Sequence, residues 1–448
     1  MSELQDKERQ RFKYLTETPI PKLISKLAVP TIISMLVTAI YNAADTYFVG
    51  KVSTQATAAV GVAFSAMAII QAFGFFCGQG SGNYLSRMLG AGKRREAEEM
   101  AATGLVLSGI IGVVVAVLVI LNIEPVCYFI GAKPDFVEDT VRYVRVIMIG
   151  APFMMAQFVL NNQLRYQGSA IYAMAGLLCG AILNLGLDPL LILGFNMGIT
   201  GAAIATVCGQ IISFFVLLIG TTKGANIRLS LKNTRLTPHY LLEIVNGGIP
   251  ALFRQGLAAV ATLLLNRAAG AYSDAAIAGM TVTTRVTMFM ASAMIGFGQG
   301  YQPVCSFNYG AGKKERVREG YFFCVKWGTV VLLVLSAFFF IFSQDIIKFF
   351  RDDPEVIAVG RIALRWQAAA LPLFACSCIT NMMLQSMGKG IKASITASAR
   401  SGLFFIPLII ILPNIFGLAG IEATQAVADI LTISICIPLA ASELKKMK

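Results

Sequence analysis

The run Ala181-Ile-Leu-Asn-Leu-Gly-Leu-Asp-Pro-Leu-Leu-Ile-Leu193 is apolar apart from two polar side chains, and one of these is the carboxylate of Asp188. Asn184 precedes Asp188 by four residues, so both side chains lie on one face of a helix. Pro189 removes a backbone donor and loosens the helix next to Asp188. Because a charge at bilayer depth costs a few kcal/mol or more, the pattern predicts a membrane helix whose carboxylate binds something.

The composition of the whole chain supports a membrane protein. Of its 448 residues, 56% are hydrophobic and 14% are charged, whereas soluble domains contain about 25% charged residues. Several apolar windows reach the ~20 residues that span a bilayer. The net charge of +13 comes mostly from Lys and Arg in short stretches between these windows, which is the positive-inside pattern of membrane proteins. We therefore expect an all-α integral membrane protein and no nucleic-acid partner.

The alternation of apolar and basic segments predicts twelve transmembrane helices in two lobes. The expected segments are a cytoplasmic N-terminal segment at 1–22, a six-helix lobe at 23–220, a cytoplasmic linker at 221–240, a second six-helix lobe at 241–441 and a basic cytoplasmic tail at 442–448. Both termini would lie in the cytoplasm, with the protein in the cytoplasmic membrane. A metal site built from several histidines is excluded, because His239 is the only histidine.

The two lobes repeat each other. Gly90-Ala-Gly-Lys-Arg-Arg-Glu96 matches Gly310-Ala-Gly-Lys-Lys-Glu315 at an offset of 220 residues, and Gly78-Gln-Gly80 matches Gly298-Gln-Gly300 at the same offset. Each repeat has an even number of spans, so both repeats enter the membrane from the same side. Parallel repeats of this kind surround a central substrate cavity in transporters.

Four polar residues of the first lobe lie at similar depths. Asp45, Asp188 and Thr206 are each five to eight residues from the outer end of their predicted helix, which places them about 8–12 Å below the outer surface. Asn184 lies one turn deeper. Their oxygens could coordinate Na⁺, or the two carboxylates could share a proton. The plainer alternatives are a hydrogen-bonded carboxylate that bends its helix and polar contacts between helices.

The second lobe lacks this set, because the repeat aligns Leu265 with Asp45 and Ile406 with Asp188. Arg267 and Glu422 lie near the outer ends of their helices and are expected to form a structural ion pair. Deeper polar side chains and adaptable apolar ones would line a substrate cavity, although Met and Phe on helices usually serve packing alone. The predicted cavity residues are Met154, Met155, Phe158, Gln255, Arg285, Met288 and Asp429.

Five motifs together resemble the multidrug and toxic compound extrusion (MATE) family, and the likeness covers nearly the whole chain. They are Tyr41-Asn-Ala-Ala-Asp-Thr-Tyr-Phe-Val-Gly50, Leu85-Ser-Arg-Met-Leu-Gly-Ala-Gly92, Asn184-Leu-Gly-Leu-Asp-Pro189, Gly198-Ile-Thr-Gly-Ala-Ala203 and Phe297-Gly-Gln-Gly300. The chain is most similar to the bacterial branch with coupling acids in the first lobe.

The resemblance implies an exporter of organic cations and amphipathic drugs that takes up Na⁺ or H⁺ in exchange. It places the first-lobe cation site of the family at Asp45, Asn184, Asp188 and Thr206. Many relatives use acids on spans seven and ten instead. Span seven of this chain has Arg254 and Gln255, and span ten has no acid between residues 363 and 384. We therefore expect the coupling site in the first lobe.

The sequence thus favours a secondary active multidrug antiporter that exports lipophilic organic cations. It would work as a monomer in the lipid bilayer, without enzymatic activity and with no cofactor besides the coupling ion. One alternative is a flippase or exporter of lipid-linked oligosaccharides from the same superfamily. A non-transporting membrane sensor or scaffold is a further alternative, although the chain shows no soluble signalling domain. No Gly-x-x-x-x-Gly-Lys motif occurs in the sequence, which argues against an ATP-driven pump.

Overall fold

The computed structural model describes the backbone of residues 2–50 and 53–447, with the side chains of these ranges except those at 2–4, 39, 41–47, 50 and 54. The described residues contain no β-strand. The helices in chain order are α1 (Ser2–Glu17), α2 (Ile20–Gly50), α3 (Thr54–Gly90), α4 (Arg94–Leu121), α5 (Ile123–Phe129), α6 (Val137–Tyr166), α7 (Ala170–Pro189), α8 (Gly198–Thr221), α9 (Pro238–Gly270), α10 (Asp274–Gly310), α11 (Lys314–Ile341), α12 (Ser343–Phe350), α13 (Pro354–Ser386), α14 (Gly390–Ser398), α15 (Phe405–Phe416) and α16 (Leu418–Lys445).

Eleven of the described helical segments are long and apolar enough to cross a membrane. A π-helical turn, Leu190–Gly194, extends α7 within one of these segments, and a second one, Ala399–Leu403, lies within the segment that α14 and α15 share. α10 is less apolar but has 37 residues, as does its repeat partner α3. With α10, the chain has the predicted twelve transmembrane helices, and the predicted fold class is confirmed.

The contacts divide the chain into two compact units. Unit 1 comprises Met1–Thr18 and Ile33–Gly248, and unit 2 comprises Pro19–Ile32 and Ile249–Lys448. In unit 1, α6 packs against α3, α4, α7 and α8. In unit 2, α13 packs against α10, α11, α14 and α16. The same helix of each repeat therefore forms the centre of its unit.

The repeat extends to the turns and caps. Gly92 and Gly312 follow equivalent helices with φ angles of 75° and 74°, a backbone conformation that glycine adopts at no steric cost. The hydroxyls of Ser53 and Ser273 accept hydrogen bonds from backbone amides three residues on, at 2.9 and 3.0 Å, and so cap α3 and α10. The sequence repeat thus encodes equivalent helix ends in both units.

The linker predicted at 221–240 belongs to unit 1 by its contacts. The backbone amide of Ile227 donates to Oε1 of Gln167 at 2.7 Å, and that of Arg235 donates to Oγ1 of Thr103 at 2.9 Å. These bonds satisfy linker amides that would otherwise need water. Unit 1 consequently continues to Gly248 rather than ending where the sequence places the lobe boundary.

The N-terminal part of α2 also departs from the predicted lobes, because Pro19–Ile32 packs with unit 2. An ideal Cβ on Gly300 would lie only 2.5 Å from Cα of Ala28. Only glycine allows α10 to approach α2 so closely. The spacing of hydrophobic residues along α2 does not predict this contact, because the contact joins segments that are distant in the sequence.

Helix α1 is docked onto unit 1 through Arg11. Its guanidinium donates to the carbonyl of Ala225, to Oγ of Ser169 and to Oδ1 of Asn226, each at 2.7 Å. Burial and the nearby positive charge of Arg94 lower the pKa of Arg11 to about 10, and Glu8 acts in the opposite direction. The N-terminal helix α1 is therefore held against the loops after α6 and α8.

Candidate functional site

Asp188, Asn184 and Thr206 lie together in unit 1, inside the membrane-spanning helices α7 and α8. Asp188 is fully buried, and the other two side chains are 3% exposed. Nδ2 of Asn184 lies 3.5 Å from Oδ1 of Asp188 and 3.4 Å from Oγ1 of Thr206. Both distances are longer than the ~2.9–3.0 Å of a strong N–H···O bond. The structure thus brings three of the four predicted coupling residues into one oxygen-lined cluster.

Glycines allow α7 and α8 to approach closely enough for this cluster to form. An ideal Cβ on Gly180 would lie 2.7 Å from the carbonyl oxygen of Gly209, and one on Gly209 would lie 2.8 Å from that of Gly180. The Cβ built on Gly209 also comes within 3.3 Å of Cβ of Asn184. Larger side chains at either glycine would separate the helices and therefore move Thr206 away from Asn184.

The backbone beside Asp188 is irregular. Pro189 ends α7, and the next residues form the π-helical turn Leu190–Gly194. Proline cannot donate the hydrogen bond that would continue the helix, and π-helical turns are frequent at functional sites. An ideal Cβ on Gly201 would lie 2.9 Å from the carbonyl of Leu191, so α8 packs directly on this turn. The close packing fixes the position of Asp188 despite the interruption.

The amide oxygen of Asn184 is available as a ligand. Oδ1 is buried and accepts no hydrogen bond within the described part of the chain. Leaving a buried acceptor unsatisfied is unfavourable, so the site gains stability when a proton donor or a cation reaches this oxygen. A carboxylate, an amide oxygen and a hydroxyl are hard oxygen ligands, which suit a small hard cation. The donor set therefore fits the predicted cation-coupling site.

Asp45 belongs to helix α2, but its side chain lies outside the described ones. Its place in the cluster stays a prediction.

Several predicted cavity residues have other surroundings. Met154 and Met155 are 2% and 0% exposed and belong to the apolar core of unit 1, so the structure corrects their predicted role and assigns them to packing. Phe158 packs against the ring of Phe75, with 5.2 Å between centroids. The helical spacing of these side chains could not distinguish core packing from a ligand surface.

The remaining predicted residues lie in unit 2. Arg285 and Met288 are exposed on α10, and Gln255 is partly exposed on α9. Arg267 is exposed, whereas Glu422 is only 4% exposed, and no ion pair joins the two described side chains. The predicted structural pair is therefore absent from this structure, because the two side chains occupy different environments.

The sequence analysis missed a buried ion pair of unit 2, which joins Arg400 to Asp429. Nε of Arg400 donates to Oδ1 of Asp429 at 2.7 Å, and Nη2 donates to Oδ2 at 3.3 Å. The guanidinium also lies 4.3 Å from the ring centroid of Phe374, and Gln425 donates to Oδ1 of Asp429 at 3.0 Å. Asp429 was predicted to line the cavity, but it is the buried partner of this pair.

A signal for Arg400 was present in the sequence. It is a charged residue inside the apolar run of the eleventh span, and such residues are functional or paired by default. A second arginine, Arg254, donates to Oδ1 of Asn381 at 3.2 Å. Arg400 lies over Phe374 and Arg254 bonds to Asn381, so both arginines contact α13.

Comparisons with known proteins agree with this architecture. The model of the MatE family matches residues 30–190 and 250–411, one segment in each repeat. The multidrug export protein MepA of Staphylococcus saprophyticus is 27% identical over 422 residues, which cover 94% of this chain and 93% of that protein. MepA of Staphylococcus aureus is 26% identical over 423 residues, with the same shares covered.

Solved structures give the same result for the fold. The crystal structure of a MATE transporter in complex with MaL6 has a TM-score of 0.91 at 25% identity and covers 97% of this chain and 98% of its own. The outward-facing structure of a multidrug resistance MATE transporter of the MOP superfamily also has a TM-score of 0.91 at 25% identity, with 98% of both chains covered.

Proposed function

Because this chain belongs to the MatE family, we propose that it is a secondary active antiporter that exports lipophilic organic cations in exchange for inward H⁺ or Na⁺. The observation that supports this proposal most directly is the buried cluster of Asp188, Asn184 and Thr206 inside the membrane-spanning helices of unit 1. The names of the MepA relatives, which are multidrug export proteins, support drugs as the exported compounds.

The cluster supplies a reason for ion coupling. An ionised Asp188 at this depth is unfavourable by several kcal/mol unless a cation or proton neutralises it. Asn184 and Thr206, the other two residues of the cluster, are neutral side chains. Loading an ion would therefore favour one packing of α7 on α8, and releasing the ion would favour another. Exchange follows if the exported cation and the coupling ion compete for the same negative charge.

The distribution of Lys and Arg supports the proposed orientation, with both termini in the cytoplasm and the protein in the cytoplasmic membrane. The proposed cycle needs the bilayer, the coupling ion and the exported cation, but no bound cofactor and no partner subunit.

Uptake of a fluorescent organic cation into inverted membrane vesicles tests the proposal, with Na⁺ and H⁺ gradients imposed separately. We expect one gradient to drive accumulation in the wild type. Asp188→Asn should abolish it, whereas Asp135→Asn, the same chemical change at an exposed loop position, should transport like the wild type at matched expression. Normal transport by Asp188→Asn would show that the site is wrong, and transport under neither gradient would favour the flippase alternative.

A further inference from the structure

Glu422 is a buried carboxylate on α16, in the membrane-spanning part of unit 2. Its side chain is only 4% exposed. The neighbouring residues Leu418 and Ile421 on the same helix belong to an apolar cluster that also contains Leu265 and Phe405. The carboxyl group therefore lies in surroundings that solvate a charge poorly.

No hydrogen bond or salt bridge reaches Glu422 from any described residue of the chain. An ionised carboxylate that is buried without a partner is strongly unfavourable, and such a group stays neutral by keeping a proton. A proton or a bound cation on the carboxyl group would remove this cost.

Asp429 provides a contrast on the same helix. It follows Glu422 by seven residues, which places both acids on one face about 10 Å apart along the axis. Two hydrogen bonds from Arg400 and one from Gln425 hold Asp429 as a charged partner. Arg400 thus pairs with Asp429, whereas no cationic side chain among the described residues reaches Glu422.

The helices around α16 do not supply a counter-charge to Glu422. α13, α14, α15 and the π-helical turn Ala399–Leu403 pack against α16. Their charged or titratable side chains are Glu355, Arg361, Arg365, Cys376 and Cys378 of α13, Lys392 of α14 and Arg400 of the turn. The cationic ones bind elsewhere: Arg361 to Gln344, Arg365 to Ser343, Lys392 to Glu443 and Arg400 to Asp429.

We propose that Glu422 is a proton-binding site of unit 2, separate from the cluster around Asp188. It holds a proton on its carboxyl group while it is buried, and it releases that proton to water when the outer end of α16 becomes wet. The consequence is one additional proton carried per transport cycle, and this consequence rests on the proposed export function.

Infrared spectroscopy of the full-length protein in lipid nanodiscs tests the proton directly, since a protonated carboxyl has a carbonyl stretch distinct from that of a carboxylate. We expect a band at neutral pH that Glu422→Gln diminishes. Glu355→Gln, the same change at an exposed position of unit 2, should leave the band unchanged. If Glu422→Gln retains the complete band, Glu422 is ionised and the proposal fails.

Thermal unfolding gives a second measurement that remains informative if the variant is poorly folded. Glutamine has the shape and charge of a protonated glutamate, so Glu422→Gln should unfold at the wild-type temperature at neutral pH. A clearly lower temperature, with Glu355→Gln unchanged, would mean that the native carboxylate is charged and partnered, and would overturn the proposal.

Transport experiments then separate this site from the proposed function. A pH indicator in vesicles measures the protons moved per exported cation, and we expect one fewer in Glu422→Gln, with export retained. An unchanged ratio would exclude Glu422 from the cycle. Failure of the proposed function is a different result, because it requires that the wild type itself exports no cation under either gradient.

Discussion

Removing one partner of the ion pair between Arg400 and Asp429 should destabilise the protein strongly. Two opposite charges about 4 Å apart attract by about 4 kcal/mol at an effective dielectric constant of ~20. The side chain of Asp429 is 7% exposed and that of Arg400 is 28% exposed, so solvent screens part of this attraction. We expect Arg400→Gln and Asp429→Asn each to lower the free energy of unfolding by about 3 kcal/mol, because each leaves a buried charge without its partner.

The double variant separates the pair interaction from the loss of the side chains. Arg400→Gln combined with Asp429→Asn leaves two neutral amides that can hydrogen-bond, so no uncompensated charge stays buried. We expect this protein to be more stable than the sum of the single effects implies, by about 3 kcal/mol. Equilibrium unfolding by SDS in mixed micelles measures all four free energies.

A matched control is available at the surface of the protein. Lys348 lies 4.0 Å from Asp352 with both side chains more than half exposed, and such pairs contribute about 0–1 kcal/mol. Substituting Lys348 should therefore change the unfolding free energy little. If the effects of Arg400→Gln and Asp429→Asn simply add, the two residues do not interact energetically and the reasoning from their geometry is wrong.

Three further predictions concern unit 1. Gly180→Ala should reduce both stability and transport, because its methyl group would lie 2.7 Å from a carbonyl oxygen of α8. The control is Gly186→Ala on the same helix, where a methyl group would have no atom within 4 Å. It should leave transport unchanged and keep or slightly raise stability. Arg11→Ala should weaken the docking of α1 by roughly 1–3 kcal/mol and hasten cleavage of α1 by a protease added to the detergent-solubilised protein. Lys13→Ala, at an exposed position, should do neither. Burial and the nearby Glu124 raise the pKa of the Cys127 thiol above its usual value near 9, so maleimide should modify the folded protein more slowly at pH 8 than the unfolded chain. Above pH 9 the thiol should lower the stability of the protein as pH rises, because only the unfolded chain loses the proton. Equal labelling rates in the folded and unfolded states would contradict this.

The spans and the repeat could be predicted because they depend on local sequence. A helix that crosses a bilayer needs a long apolar run, and both repeats preserve their turn glycines at one offset. The same reasoning placed Asn184 and Asp188 together, since residues four apart on one helix must share a face. Thr206 was reached by counting residues from the outer surface, which worked because α7 and α8 are neighbours in the chain.

The pairings in unit 2 could not be predicted in this way. Two features depend on how the π-helical turn Ala399–Leu403 and α16 are rotated about their axes, which the sequence spacing does not determine. They are the pair between Arg400 and Asp429 and the position of Glu422 without a described partner. Depth alone matched Arg267 with Glu422, but depth says nothing about which side of a helix faces its neighbour. The burial of Met154 has the same cause, because an apolar residue suits a core and a cavity equally well.

The two units surround their intramembrane acids, Asp188 and Asp429, with different side chains. In the register that aligns the starts of α7 and α14, Arg400 takes the position of Gly180. Unit 1 has a close backbone contact there, and the neutral side chain of Asn184 lies between its acid and Thr206. Unit 2 instead holds the guanidinium of Arg400, which pairs with Asp429. Asp188 and Glu422 are the acids that we propose to change charge during a transport cycle.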